Sequence, residues 1–131
     1  MRFIYNACTD APFNLAAEEW LLHNSETDVF MLWRNAPAVI VGRNQNSHSE
    51  INAEYVQKNG IPVVRRLTGG GAVFHDLGNI NFTFISLHNQ SGLLDFRRFA
   101  TPIIDALNAL GVVCEFNGRN DMVVGESKIS G

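Results

Sequence analysis

The sequence predicts an α+β fold, a mixed, mostly antiparallel sheet with helices packed on it. Short β-branched or alternating runs cluster along the chain without the regular strand, helix, strand rhythm of a parallel α/β protein. Two longer stretches, one from Phe13 to Leu21 and one from Phe96 to Leu110, carry apolar residues at helical spacing. Between them, the strand-like runs at Val63–Val64 and Ala72 to His75 enclose Gly69, Gly70 and Gly71, directly after the pair Arg65 and Arg66.

In chain order, Arg2 to Asn6 reads as a first strand. Thr9 and Asp10 are cap candidates for a helix with Pro12 in its first turn, running to about His23. Phe13, Ala16, Ala17, Trp20 and Leu21 form its expected inward stripe, with Glu18 and Glu19 solvated. Asp28 to Arg34 and Ala38 to Arg43 read as two strands joined as a hairpin across Asn35, Ala36 and Pro37, with Trp33 in the core. His48 to Asn59 reads as a short helix capped by Ser47 or Ser49, with Ile51 and Tyr55 inward, Lys58 suiting its end and Gly60 closing it. Asn81 to Phe84 alternates as a half-buried strand does, and Ser86 to Leu94 is a polar loop. The helix that follows puts Phe96, Phe99, Ile103, Leu107 and Leu110 inward. Pro102 either kinks it or begins it under a Thr101 cap. Val112 to Phe116 and Asp121 to Val124 are strands about a turn at Asn117 and Gly118.

With 131 residues, 46% hydrophobic and 18% charged, the chain has the composition of one globular domain, residues 1–131. That length buries roughly two-thirds of the surface an unfolded chain exposes. A net charge of −3 argues against a nucleic-acid or anionic-membrane partner, which calls for a basic face. No apolar run approaches the roughly 18 residues that span a bilayer, and the first residues lack the order of a signal peptide, so a cytoplasmic protein, or one of an organelle matrix, is expected. Cys8 and Cys114 are too few for a metal knuckle. Alternation in VVCEF places Cys114 with Val112 and Phe116, as a buried thiol.

The chemistry concentrates at the glycines. Without Cβ atoms, their amides can face an anion or a flat ring at close range, although a flexible hairpin turn also accounts for three glycines. GxxxxGK[ST] is absent, since Ala72 and Val73 follow the last glycine, which excludes a P-loop NTPase. Adjacent residues on a strand point oppositely, so one of Arg65 and Arg66 faces the glycine loop, placed for phosphate or carboxylate. The same alternation keeps His75 and Asp76 from forming one acid-base dyad. Lys128, one of only two lysines, follows a glycine turn and resumes a strand with Ile129, so its ammonium either reaches an anion or is solvated.

Three blocks, LWRNAPAVIVGRNQN from Leu32 to Asn46, RRLTGGGAVFHDLGN from Arg65 to Asn79, and GRNDMVVGESKISG from Gly118 to Gly131, resemble the lipoate-protein ligase family in content, order and spacing. This superfamily also holds octanoyltransferases and, more distantly, biotin ligases. The resemblance implies the catalytic fold shared with class II aminoacyl-tRNA synthetases and biotin ligases. It also implies that the chain is the N-terminal part of a catalytic domain that continues past KISG in the family. The WRN and GRNQN region then lines the acyl pocket.

What the resemblance implies for chemistry is ATP-dependent activation of lipoate to lipoyl-AMP, followed by transfer to a lysine of an acceptor lipoyl domain. Those acceptors are the E2 subunits of 2-oxoacid dehydrogenases and the glycine cleavage H protein. ATP is assigned to Arg66, Gly71, Ala72, Val73, Phe74 and Lys128, and lipoate to Arg66, Gly70, His75 and Lys128. Lys128 is the catalytic residue, contacting both the acyl carboxylate and the α-phosphate, and Asp121 is the ligand for magnesium. The same likeness leaves open an octanoyl or lipoyl transferase working from a carrier protein, and a non-catalytic lipoyl-adenylate binding module.

Overall fold

A computed structural model describes residues 1–87, 96–118 and 121–130. The α+β class holds. The chain divides into two compact units, Met1–Leu87 and His88–Gly131. Strand pairing among the described residues is mixed and mostly antiparallel, but in three separate three-stranded sheets.

In the first unit, β1 (Arg2–Asn6) leads through α1 (Ala11–Asn24) to β2 (Val29–Trp33). α1 starts where Asp10 accepts the Phe13 amide at 2.8 Å, so Asp10, rather than Thr9, is the cap. β2 runs parallel to β1 and antiparallel to β6 (Asn81–Ile85), giving the order β1-β2-β6. Val29, Met31 and Trp33 alternate onto one face and pack with Leu21 and Ile85. Each such side chain contributes roughly 1.5–3 kcal/mol by leaving water.

The second sheet is β4-β3-β5, built from β3 (Ala38–Val41), β4 (Val63–Arg65) and β5 (Val73–His75). β3 lies parallel to β4 and antiparallel to β5. The hairpin expected across Asn35, Ala36 and Pro37 therefore does not form. β2 finds its partners in β1 and β6, and the short Pro-containing connection hands the chain to another sheet. A turn-like composition marks a change of direction but carries no information on which strands then pair. Ala11, Ala38 and Ile40 form the core here, and Leu15 of α1 packs against both cores.

α1 buries only part of the expected stripe. Leu21 is buried as expected, but Phe13 and Trp20 are 56% and 61% exposed, and Ala11 and Asn14 face inward in their place. Apolar residues occupy almost the whole circumference of this helix, so spacing alone selects no face, and the hydrogen bonds of Asn14 decide it. The single helix expected from His48 to Asn59 is two short ones, α2 (Ser47–Glu50) and α3 (Ala53–Lys58), capped by Asn46 and Asn52 instead of the serines. Tyr55 is exposed.

In the second unit, α4 (Phe96–Ala109) passes through Pro102, and the Thr101 hydroxyl donates back to the Arg97 carbonyl at 2.7 Å instead of capping a new helix. Ala100 and Ile104 are its buried residues, and Leu110, expected inward, is 80% exposed. β7 (Glu115–Asn117), β8 (Asp121–Val124) and β9 (Ser127–Ser130) form an antiparallel meander, β7 starting three residues later than expected. Cys114 is buried as expected, but not by strand alternation: it precedes β7, Val112 is exposed, and Asn108 clasps the Cys114 backbone from both sides. Most of the loop expected from Ser86 to Leu94, together with Arg119, Asn120 and Gly131 of the third motif, lies outside the described residues.

Candidate functional site

The glycine loop is not a hairpin turn. β4 and β5 lie on opposite sides of β3, so residues 66–72 must cross the end of β3 to pass from one to the other. The crossing is pinned by two backbone bonds, Arg66 N–H to the Val41 carbonyl at 3.0 Å and Arg43 N–H to the Thr68 carbonyl at 2.9 Å. Gly42 lies under the crossing, and a Cβ there would collide with the Gly70 carbonyl oxygen. Gly70 itself has φ +98°, a conformation open to glycine. Gly42→Ala is therefore expected to lift the loop from β3 and to destabilise the chain by about 1–3 kcal/mol, the usual cost of overpacking. Thermal melts of this variant beside Gly78→Ala, where the nearest atom is a side-chain oxygen at 3.1 Å, check it.

The paired arginines divide as the alternation predicts. Arg65 turns to the loop after β3, where one nitrogen donates to the carbonyls of Gly42, Arg43 and Gln45 at 2.9, 3.1 and 2.8 Å. Arg66 turns to the glycines, with Nη2 2.8 Å from both the Gly69 and Gly71 carbonyls, Nε 3.2 Å from Gly69 and Nη1 3.3 Å from the Ile40 carbonyl. The guanidinium thus gathers the loop's carbonyl oxygens to itself. Among the described residues, the amides of Gly69, Gly70 and Gly71 donate to no protein acceptor. A run of unpaired N–H groups beside an arginine is the kind of concavity that takes an anion. Val73 and Phe74, on the edge strand that follows, are 45% and 56% exposed, and Ala72 is half-buried.

Beside this loop α1 closes a cavity of about 210 Å³. Leu15, Ala16 and Glu18 face Val64, Arg66 and Leu67 across it. A larger groove of about 510 Å³ on the other flank of α1, between Phe13, Trp20 and Tyr5, is almost wholly apolar. Glu18 and Glu19 line the smaller cavity together with Arg65 and Arg66, so its charges balance, and Gly70, Gly71 and His75 are not among its lining residues. Spacing along α1 gives Leu15 no role and leaves Glu18 in solvent, so the α1 lining of this cavity does not follow from the sequence. The only signal was that two carboxylates, Glu18 and Glu19, sit among apolar residues. In the structure, Glu18 accepts from the Thr83 hydroxyl at 2.6 Å, and Thr83 in turn accepts from the Trp33 indole at 3.0 Å.

His75 on β5 is 9% exposed, with Nδ1 3.1 Å from Asn35 Nδ2 and its ring edge-on to Trp33. Burial foremost, and then the Arg66 charge, push its pKa below the usual 6.5, against a smaller opposing pull from Asp76. Asp76 points elsewhere, as alternation requires. Its carboxylate accepts the Gly78 amide at 2.8 Å, and its carbonyl accepts the Asn79 amide at 3.1 Å.

Lys128 and Asp121 belong to the second unit, where neighbouring strands β9 and β8 bring the ammonium and the carboxylate to 2.8 Å. Both side chains are well exposed. Among the described residues, no three His, Cys, Asp or Glu side chains gather as a metal cluster.

A family model described as the lipoyl protein ligase A/B catalytic domain matches residues 10–131. The chain belongs to this family. Lipoate–protein ligase 1 of Staphylococcus aureus is 48% identical over 134 residues, which take in 100% of this chain and 41% of that protein. The chain thus spans about two-fifths of that relative's length. Among solved structures, a bipartite lipoate protein ligase with its E2 lipoyl domain, from Thermoplasma acidophilum, superposes with a TM-score of 0.86 at 28% identity, over 98% of this chain and 52% of that one. A lipoate-protein ligase A bound with ATP superposes at 0.83 with 29% identity, over 98% and 58%.

Proposed function

We propose that this chain carries the activating site of an ATP-dependent lipoate-protein ligase. The observation that carries the reading is the glycine loop, whose carbonyls are drawn inward by Arg66 and whose amides have no protein acceptor among the described residues. The relatives point the same way by name, one to lipoate, another to ATP, a third to an E2 lipoyl domain.

In the first half-reaction a lipoate carboxylate oxygen attacks the α-phosphorus of ATP, the bond to pyrophosphate breaks, and lipoyl-AMP results. In the second, the ε-amine of an acceptor lysine attacks the acyl carbon and AMP leaves. No protein nucleophile is needed. The protein's task is to bring two anions together and to meet the charge that develops on phosphate. Arg66 and the amides of Gly70 and Gly71 meet the carboxylate and phosphate oxygens, Ala72, Val73 and Phe74 flank the nucleotide, His75 lies beside the acyl group, and Lys128 supplies the second cation. A magnesium ion would neutralise the phosphate charge. Such an ion relies chiefly on substrate phosphates and water, so a single protein carboxylate, Asp121, suits it, whereas a dedicated cage is absent among the described residues. The acceptors are the lipoyl domains of 2-oxoacid dehydrogenase E2 subunits and the glycine cleavage H protein, met in the cytoplasm. No helix among the described residues is long and apolar enough to cross a membrane.

The test is incubation of the chain with ATP, magnesium and lipoate, with mass spectrometry for lipoyl-AMP and a parallel sample given octanoate. Adenylate from either acid is the expected result. A folded chain that binds neither ATP nor lipoate overturns the reading.

A further inference from the structure

A relay of side-chain amides runs from the end of β1 to His75, and backbone groups fix its polarity from two directions. The Cys8 amide can only donate, so the oxygen of Asn6 accepts it at 3.1 Å, which turns Asn6 Nδ2 toward Asn14 Oδ1 at 2.8 Å. The carbonyls of Cys8 and Arg34 can only accept, and they lie 2.9 and 3.0 Å from Asn14 Nδ2. Both constraints orient Asn14 the same way. Its Nδ2 also faces Asn35 Oδ1 at 2.9 Å, so two amide hydrogens are shared among three acceptors; an oxygen is the Asn35 atom that suits this place, which leaves Asn35 to present Nδ2 to His75 Nδ1 at 3.1 Å. An amide nitrogen does not accept a hydrogen bond, so His75 Nδ1 must carry a lone pair. Backbone groups that have no choice fix the flip of Asn14, and the orientation of Asn35 and the tautomer of His75 follow from it through the shared Asn14 N–H groups.

We infer that Asn14 and Asn35 are positioning residues that hold His75 with Nδ1 as acceptor and its proton on Nε2, presenting that N–H as a fixed donor to an oxygen of the bound acyl or adenylate group. The ligand half of this inference rests on the ligase reading above. The ring makes no other hydrogen bond among the described residues, so Nε2–H is its remaining donor. Both asparagines are fully buried, and together they tie β1, α1 and the end of β2 to β5. A purely structural tie has no need to end on an imidazole. One that ends there sets which nitrogen bears the proton, the detail on which a histidine's use depends.

The surroundings agree. Protonation at Nδ1 would set N–H against the Asn35 N–H. Of the charged groups that act on the ring, Arg66 opposes a positive charge and Asp76 favours it, while burial outweighs both. The folded state therefore binds its proton less tightly than the unfolded state. Stability from this group is complete above about pH 6.5, the unfolded value, and is lost as pH falls from there through the lower folded value. Over the physiological range, His75 then donates a hydrogen bond without adding a charge, leaving the cationic work beside it to Arg66.

Long-range proton–nitrogen NMR of the imidazoles, recorded on the unliganded chain, tests the relay without recourse to activity. The expected spectrum for His75 has an unprotonated Nδ1 and a protonated Nε2 near neutral pH. A proton on Nδ1, or an average of the two tautomers, overturns the inference. Asn35→Asp replaces the donor by an acceptor, so the proton should move to Nδ1 and the titration midpoint rise by roughly one to three pH units. A midpoint left where it was in the folded variant also overturns it. Addition of ATP and lipoate should move the His75 Nε2 proton downfield. Ligands that bind without moving it refute the donor role. Failure of both to bind, with the tautomer as expected, refutes the ligase reading while upholding the relay.

Discussion

Arg66→Ala is expected to lower lipoyl-AMP formation by a factor on the order of 10²–10³, the usual loss when a preorganised donor facing developing charge is removed. The effect has two parts. The guanidinium spans the carbonyls of Ile40, Gly69 and Gly71, so it holds the crossing in shape before any ligand arrives. Without it, those carbonyls lose a common partner and the loop amides lose the orientation that follows from it. The second part is the positive charge itself, placed beside a cavity that α1 closes. Arg66→Lys separates the two, because an ammonium keeps the charge but cannot reach three carbonyls with a rigid fork. The lysine variant is expected to stay within about tenfold of alanine, which would show that geometry outweighs charge. Rates of adenylate formation, with ATP binding by calorimetry, decide it. Arg66→Ala within tenfold of the unaltered chain would remove the arginine from the site.

The glycines and the two arginines were legible because their chemistry is local. A strand followed by residues without Cβ atoms says where backbone can approach a ligand, and alternation says that one of two adjacent arginines must face it. What was not legible depends on partners distant in sequence. That the loop crosses β3 over Gly42 follows from the order β4-β3-β5, and no short-range pattern distinguishes that order from a hairpin. The α1 contribution was hidden for a related reason. Apolar residues surround that helix, so Leu15 and Glu18 found their places only once two sheets had been laid against it. Asn6, Asn14, Asn35 and His75 each read singly as a strand end, a helix residue, a turn and a strand residue. Their common function is visible only where the fold brings four separate segments together.

Lys128→Ala is expected to lower adenylate formation by a similar 10²–10³-fold while leaving the melting temperature almost unchanged. The two halves of this expectation come from the same contact. Lys128 and Asp121 pair at 2.8 Å with side chains 59% and 43% exposed, and an ion pair open to water is worth about 0–1 kcal/mol. Losing it therefore costs the fold little. For the same reason, an arriving phosphate can take the ammonium from the carboxylate at little cost, so the pair holds the lysine without locking it. Asp121→Asn separates holding from metal binding. A residue that only holds the ammonium should leave the rate at or above that of the unaltered chain, because the lysine is released. A magnesium ligand should lower the rate and raise the magnesium concentration needed for half-maximal adenylate formation. The second outcome is the expected one, because carboxylates are what magnesium takes from protein and Asp121 is the residue the motif brings forward. An unchanged magnesium midpoint in Asp121→Asn would leave the ion to the phosphates alone, with the loss expected for Lys128→Ala unaffected.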